Sequence, residues 1–338
     1  MTRPAVATPP LTAPDARPTE AEPPATEAPV LGATPAHHRV PTPPADLDLR
    51  LPTPGSILWE SVGDARSVIT LVPALVMQAA HPTISAGLVD HSIFRTDPWR
   101  RLGRSFFPIV NLAYDEDPVG VGTRIRDRHR GIKGVRPDGQ RYHALHPDAY
   151  WFVLATGFDA LEQHHARYGR RPLTAAETQD AYDEYRTLWR LVGLGDAHVP
   201  ETVAEFRAAY EAMIERDLEP TVSVHHVFET LRRAPAPPLL DHPPGRAVWN
   251  ALRAPISVVT VHQTTWQLRP VVRERLGLRW TTRDERIARA TAAALRHGLA
   301  LIPRPARLLP PAFRGNRREG TLLRVRPGRA RRSGAHRP

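Results

Sequence analysis

The chain has 338 residues, with 46 Lys and Arg against 35 Asp and Glu, a formal charge of +11, 37 prolines and no cysteine. This length allows one large domain, or two of ordinary size, with ends to spare. The lack of cysteine excludes disulfides, zinc–thiolate sites, iron–sulfur clusters, covalent haem attachment and a haem thiolate ligand.

The charge is unevenly distributed along the chain. Residues 1–54 carry −2, residues 55–313 carry +5, and residues 314–338 carry +8, almost all of it arginine. An arginine-rich tail can neutralise phosphates or lie on anionic lipid. It contains no aromatic residue that could stack on bases, which disfavours single-stranded nucleic acid. Contact of this tail with nucleic acid or an anionic membrane is therefore a minor alternative, and a solvated extension is the main interpretation.

The first segment, residues 1–54, holds 14 of the prolines and very few large apolar residues. Such a composition cannot offset the entropy cost of ordering, so it predicts a disordered arm. The arm lacks a basic region followed by an apolar stretch, which is the mark of a secretion signal. The longest apolar run, Val68 to Ala80, is shorter than the ~20 residues of a bilayer span. We expect a cytoplasmic protein with no transmembrane segment.

Residues 55–313 show helical apolar spacing almost throughout. A cap residue followed by proline marks four helix starts, at His81-Pro82, Asp97-Pro98, Asp117-Pro118 and His146-Pro147. A capping box, Thr174 with Glu177, precedes an amphipathic helix that ends near Val192.

Two further helices are predicted later in this region, from Arg246 to about Leu268 and from Thr282 to about Leu301. Two-residue alternation occurs only at Ile256 to Val261, which we interpret as a buried helix segment. The sequence thus predicts one all-α, roughly globin-like domain of eight to ten helices, with a disordered tail at each end.

The helix that opens at Asp117-Pro118 carries the first candidate site residue. Val121, Ile125, His129 and Ile132 form one apolar stripe, so His129 points inward from a helix rich in arginine. A neutral imidazole there can coordinate a metal or haem iron. A hydrogen-bonded core histidine is the alternative.

Arg101 and Ser105 lie four residues apart and share a helix face. They suit an anion or propionate clamp, or a donor to bound oxygen, while a helix cap or a solvent-exposed arginine is the simpler alternative. Thr156 is a lone hydroxyl in a buried helix, where it either bonds the carbonyl four residues earlier or lines a pocket.

Other histidines are weaker candidates. His81 is interpreted as a helix N-cap. Adjacent histidines diverge by ~100° on a helix, which makes the pairs His164-His165 and His225-His226 poor chelators. No HExxH, P-loop, GxSxG or GxGxxG motif occurs in a convincing context.

Four segments taken in order resemble the MpaB/rubber oxygenase family. They are residues 78–105, which contain QAAHPTISAGLVDHSIFRTDPWRRLGRS, residues 124–134 (RIRDRHRGIKG), residues 142–156 (YHALHPDAYWFVLAT) and residues 200–220. With the helical flanks, the likeness spans roughly residues 57–310. It implies an all-helical oxygenase that holds a non-covalent haem b and uses O₂ on an apolar substrate such as an isoprenoid.

The resemblance also implies roles for single residues. His129, preceded by Arg126, matches the proximal haem ligand of latex-clearing members. Arg101 and Ser105 match an arginine and a threonine of the family, and Thr156 matches a pocket threonine.

The chain also departs from the family's pattern. Leu154 stands where many bacterial members have histidine, and the glutamate proposed as catalytic base has no assigned counterpart. These departures leave one alternative open, a haem- or lipid-binding helical protein without turnover. The basic tail from Arg314 leaves another, an interaction protein that docks through this tail on nucleic acid or an anionic membrane.

Overall fold

The computed structural model describes residues 49–195 and 199–323. Their secondary structure is almost entirely helical, and the α-helices are α1 (Ile57–Ser61), α2 (Val68–Ala80), α3 (Pro82–His91), α4 (Pro98–Tyr114), α5 (Pro118–His129), α6 (Pro147–Arg167), α7 (Ala175–Leu191), α8 (Val203–Asp217), α9 (Val222–Arg233), α10 (Pro243–Gln267), α11 (Pro270–Arg275), α12 (Thr282–Ala300), α13 (Arg304–Arg307) and α14 (Pro310–Arg318). Short 3-10 helices span Ala65–Ser67 and Pro238–Leu240. The all-α prediction is confirmed. The predicted number of helices, eight to ten, is too low because several helices are only one or two turns long.

Local sequence chemistry determines where the long helices begin. All four predicted starts are confirmed, since a proline opens each of α3, α4, α5 and α6. The side chains of Asp97 and Asp117 accept hydrogen bonds from backbone N–H groups three residues on, at 3.0 and 2.8 Å. Thr174 and Glu177 form the predicted capping box at the start of α7.

The main core forms around α2 and α6, which pack on each other more extensively than any other pair of elements. Aromatic side chains from α6, α7 and α8 fill the space beside them. The ring of Phe158 meets that of Phe206 edge-on at 5.1 Å, and Tyr182 meets Trp189 edge-on at 5.7 Å. Tilted and edge-on contacts of this kind stabilise aromatic pairs beyond the burial of their area.

A second, smaller core joins the start of the described chain to its end. It comprises Trp59, Tyr114 and Ala312 with their neighbours, where α14 packs against α4. Asn316, fully buried, accepts from the indole Nε1 of Trp59 at 3.2 Å. The predicted domain boundary at residue 313 therefore falls inside α14, and the fold continues to Thr321, which is also buried.

The two predicted tails lie largely outside the described residues. Leu49 and Leu51 already pack against the main core, so the structured region begins before the predicted boundary at residue 54. Residues 1–48 and 324–338 are not described.

One hairpin interrupts the helices and was not predicted. Strands β1 (Lys133–Val135) and β2 (Arg141–His143) pair antiparallel, with Gly134 opposite Tyr142. Gly139 closes the turn with φ +82°, a left-handed conformation that favours glycine. The preceding Pro137-Asp138 pair is the turn signal that could have located it.

The alternating segment Ile256 to Val261 lies within α10, so its assignment as helix is confirmed. Its predicted burial is wrong: Ile256, Val258 and Val259 are exposed. Within the part of the chain that the structure describes, no single helix is long and apolar enough to cross a membrane. One pair bent by 97°, Ala65–Ala80 with Pro82–His91, meets the criteria of length and composition.

Candidate functional site

Helix α5 carries His129 at its last position, and its sequence fixes where that residue lies. Asp117 caps the helix, while Val121 and Ile125 are buried in the main core. At Gly122 the helix approaches the end of α7 so closely that an added Cβ would lie 2.1 Å from the carbonyl oxygen of Leu191. Glycine at this position allows α5 to pack directly against α7, which places its C-terminal turn beside α6.

The imidazole of His129 is half-buried and has one hydrogen bond. Its Nδ1 lies 2.8 Å from the carbonyl oxygen of Ile125. A carbonyl can only accept, so Nδ1 carries the proton and Nε2 keeps its lone pair. Burial lowers the pKa of His129, the bond to Ile125 opposes this, and the charges of Arg101 and Arg128 lower it further. The ring is thus neutral, with Nε2 available as a ligand.

Tyr150 and Arg126 are buried near His129. The ring of Tyr150 lies 5.7 Å from that of His129, and its hydroxyl donates to the carbonyl oxygen of Val192 at 3.2 Å. Burial raises the pKa of Tyr150, and the charge of Arg126 acts in the opposite direction. Arg126 is itself buried at 3% exposure and pairs with Asp127 at 3.9 Å. Tyr150 thus contacts the end of α5 through His129 and the residue after α7 through Val192.

Arg101 lies on the neighbouring helix, α4, within electrostatic range of His129. Its Nε donates to the hydroxyl of Ser92 at 2.9 Å. Ser92 is the residue at the end of α3, so this bond fixes the half-buried guanidinium between two helices. Sequence reasoning missed Ser92, because nothing in the chain between residues 92 and 101 indicates that they meet.

Ser105 and Thr156 are not brought into contact with His129. Ser105 is exposed and makes no hydrogen bond within residues 49–195 and 199–323. Thr156 is fully buried; its hydroxyl donates to the carbonyl oxygen of Val153 at 2.7 Å and accepts from Nε2 of Gln78 at 2.7 Å. The predicted bond four residues back is instead three residues back. Thr156 thereby joins α6 to α2.

Leu154 and His81 are both buried. Leu154, at 7% exposure, lies in the main core, so the leucine at which the chain departs from the resembled pattern is part of the apolar packing. His81 occupies the N-cap position of α3, but its side chain makes no cap hydrogen bond. It is buried, its ring lies 5.4 Å from that of Phe152, and its Nδ1 has no partner among the described residues. His81 thus occupies the predicted N-cap position, but its side chain does not cap the helix.

A separate cavity lies between α2, α6 and α10. It has room for about one water molecule and is lined by Thr70, Met77, Asp159, Gln267 and Arg269. None of the residues predicted for the site borders it.

A model of a protein family matches most of the chain. No curated protein and no solved structure matches the chain. The family model described as ER-bound oxygenase mpaB/B'/Rubber oxygenase, catalytic domain, matches residues 59–297. These residues include α2 to α11 and almost all of α12, and so contain the His129 site with every element around it. The chain therefore belongs to the MpaB/rubber oxygenase family of oxygenases.

Proposed function

We propose that this oxygenase depends on haem b and attacks an apolar substrate such as an isoprenoid with O₂. Membership of the family makes the chain an oxidoreductase; the cofactor and the substrate class are the proposal. One observation carries it. The proton of His129 is committed to the carbonyl of Ile125 at 2.8 Å, so a neutral Nε2 remains for an iron atom.

The donor set at this site fits haem. A non-covalent haem could be held by one side-chain ligand from the protein, because the porphyrin itself supplies four nitrogens. Within the described chain, no group of three or more His, Asp and Glu side chains is placed to hold a metal ion. His129 is a single imidazole whose other nitrogen is fixed by a backbone carbonyl, as is usual for histidines that bind iron.

Arg101 supplies the positive charge that a haem propionate requires. Its side chain is held by Ser92 at 2.9 Å and lies near His129, and a guanidinium matches the geometry of a carboxylate. Ser105, one turn further along α4 and exposed, is assigned to the outer rim of the site. When bound, haem supplies the binding and activation of O₂, while the protein supplies ligand, charge and access.

The remaining candidate residues support the site. Tyr150 packs beside the imidazole of His129, with the two rings 5.7 Å apart, which orients the imidazole. Arg126 is buried in the same last turn of α5. Thr156 is assigned a structural role, because Gln78 and Val153 already satisfy its hydroxyl.

Haem content and oxygen uptake test this proposal. Purified full-length protein titrated with haemin should bind one haem per chain. The loaded protein should consume O₂ with an isoprenoid alkene and not with its saturated analogue. Failure to bind haemin would contradict the cofactor. Stoichiometric haem without oxygen uptake on alkenes, terpenoids and unsaturated fatty acids would contradict the substrate class.

A further inference from the structure

Helix α10 turns an apolar face to solvent. Between Pro243 and Val259 its exposed residues are mostly apolar, and the large ones are Val248 (51% exposed), Leu252 (49%), Ile256 (44%), Val258 (69%) and Val259 (39%). At 100° per residue these five lie on one arc of ~160°, together with Ala251 and Pro255. No charged or polar side chain falls on this arc between those positions. We call these seven residues the α10 face.

Two side chains on the inner side of the same helix bond to α9 and to the residue that follows it. Trp249 donates to the carbonyl oxygen of Ala234 at 3.0 Å, and Ser257 donates to that of Leu231 at 2.8 Å. The α10 face lies on the opposite, outer side, whereas a surface helix usually turns its apolar side inward.

Contacts with α12 leave the α10 face open. Gln263 donates to the carbonyl oxygen of Ala288 at 3.1 Å, and Trp266 donates to Glu285 at 3.0 Å. Both bonds involve the C-terminal third of α10, beyond Val259. Contiguous exposed apolar surface of this kind marks a contact with a membrane or a protein.

Helix α10 and the helices that follow it, α11 and α12, are rich in arginine. Residues 243–302 contain ten arginines and three acidic residues. Four of these arginines are exposed and form neither an ion pair nor a hydrogen bond within the described part of the chain: Arg253, Arg279, Arg283 and Arg286. Arg283 and Arg286 lie beside Ile287 in a shallow groove on the outer side of α12. Apolar surface and uncompensated cations therefore occur on adjoining helices.

We propose that the α10 face docks on an anionic lipid membrane, with its apolar side chains at the boundary of the acyl chains and the neighbouring arginines on lipid phosphates. The binding of an interfacial helix to a membrane strengthens with its buried apolar area and with its attraction to anionic lipid, and this region offers both. The six arginines after residue 323 can add to that attraction. Docking does not depend on the haem proposal.

Charge favours lipid over a second copy of the chain. Two copies meeting through α10 would bring the same unpaired arginines together, and like charges across an interface are unfavourable. An anionic bilayer neutralises them and accepts the apolar side chains at the same time.

Vesicle co-sedimentation tests the proposal. The full-length protein should bind vesicles made of equal parts phosphatidylcholine and phosphatidylglycerol, and it should bind phosphatidylcholine vesicles weakly. Binding to the anionic vesicles should fall as salt is raised, because the ionic part is screened. In the double variant Leu252→Asp with Ile256→Asp, affinity should fall by about tenfold or more. Val135→Asp is the matched control, since Val135 is 60% exposed on β1, and it should bind as the wild type does.

A fluorescent probe gives a second readout that does not require introducing aspartates, which could destabilise the fold. Because the chain has no cysteine, Val258→Cys creates a unique labelling site on the α10 face. An environment-sensitive dye there should shift to the blue when anionic vesicles are added, and the same dye on Val135→Cys should not.

Three outcomes would overturn the proposal. The first is absence of binding to anionic vesicles. The second is binding that survives in the double variant, which would place the contact elsewhere, such as on residues 324–338. The third is a wild-type dimer in analytical ultracentrifugation that the double variant converts to monomer, which would assign the α10 face to a second copy.

Discussion

The Nδ1–H of His129 donates to the carbonyl oxygen of Ile125, one helical turn earlier, over 2.8 Å. This bond selects the tautomer, and burial keeps the ring neutral. A histidine in the last turn of a helix would otherwise be stabilised as a cation by the helix dipole. Removal from water and the nearby charge of Arg101 outweigh that tendency here.

The stability of the fold should fall as the pH drops from 7 to 5. Burial first, then the neighbouring His165, lowers the pKa of His164 from 6.5 to about 3. Between pH 7 and pH 5 the unfolded chain therefore takes up a proton at His164, whereas the folded chain does not. The stability that the fold gains from keeping His164 neutral is complete above the pKa of 6.5 in the unfolded chain and is lost as the pH falls below that value. It amounts to about 2 kcal/mol between pH 7 and pH 5.

Urea unfolding at both pH values measures this effect. In His164→Gln the pH-dependent loss should be smaller by about 2 kcal/mol. His297→Gln, at an exposed position on α12, should keep the wild-type dependence. An unchanged dependence in His164→Gln would show that His164 titrates normally in the fold.

Gly122→Ala should destabilise the protein and disturb the His129 site. The added methyl would lie 2.1 Å from the carbonyl oxygen of Leu191, so α5 must move away from α7. Forced repacking of this kind costs about 1–3 kcal/mol. Gly131→Ala is the control, because its added methyl would meet nothing within 4 Å. The thermal midpoint should fall only in Gly122→Ala, and equal midpoints would contradict the close approach of the two helices.

Ending the chain after residue 313 should prevent stable folding, whereas ending it after Leu323 should leave stability unchanged. The shorter chain loses Asn316, which accepts from Trp59 at 3.2 Å and from Arg304 at 3.0 Å. Buried donors left without partners cost about 1–3 kcal/mol each. Circular dichroism melting compares the two truncations with the full chain. Equal melting of all three would show that α14 contributes nothing to the fold.

The Thr156 hydroxyl should act on stability together with Gln78. Thr156→Val removes the acceptor for the Gln78 amide at 2.7 Å, which should cost about 1–3 kcal/mol. Gln78→Leu and the double variant complete a double-mutant cycle. The two losses should be strongly non-additive, because both variants break the same bond. Additive losses would mean that the hydroxyl has another partner, such as a bound ligand.

Much of the fold could be predicted because its signals are local. A cap residue before proline specifies a helix start within one turn, which is why α3 to α6 begin at the predicted residues. The helical period likewise placed His129 on the same stripe as the buried Val121 and Ile125.

Features that depend on distant partners could not be predicted. Asn316 is 257 residues from Trp59, so the basic composition around it indicated a tail rather than a helix. The spacing of Arg101 and Ser105 predicts a shared face, but it does not say that Ser92 would hold the first residue and leave the second exposed. In α10 the apolar spacing predicts burial of Ile256, Val258 and Val259, but it does not show that these side chains are exposed in the fold.

The central claim is that Nε2 of His129 binds haem iron, and the Soret-region spectrum of the haemin-loaded protein tests it most directly. Wild type and the exposed-histidine control His297→Ala should give the same band. In His129→Ala the band should shift to that of haem lacking the protein nitrogen, and added imidazole should restore the wild-type position. A folded His129→Ala variant whose spectrum and haem affinity match the wild type would contradict the assignment.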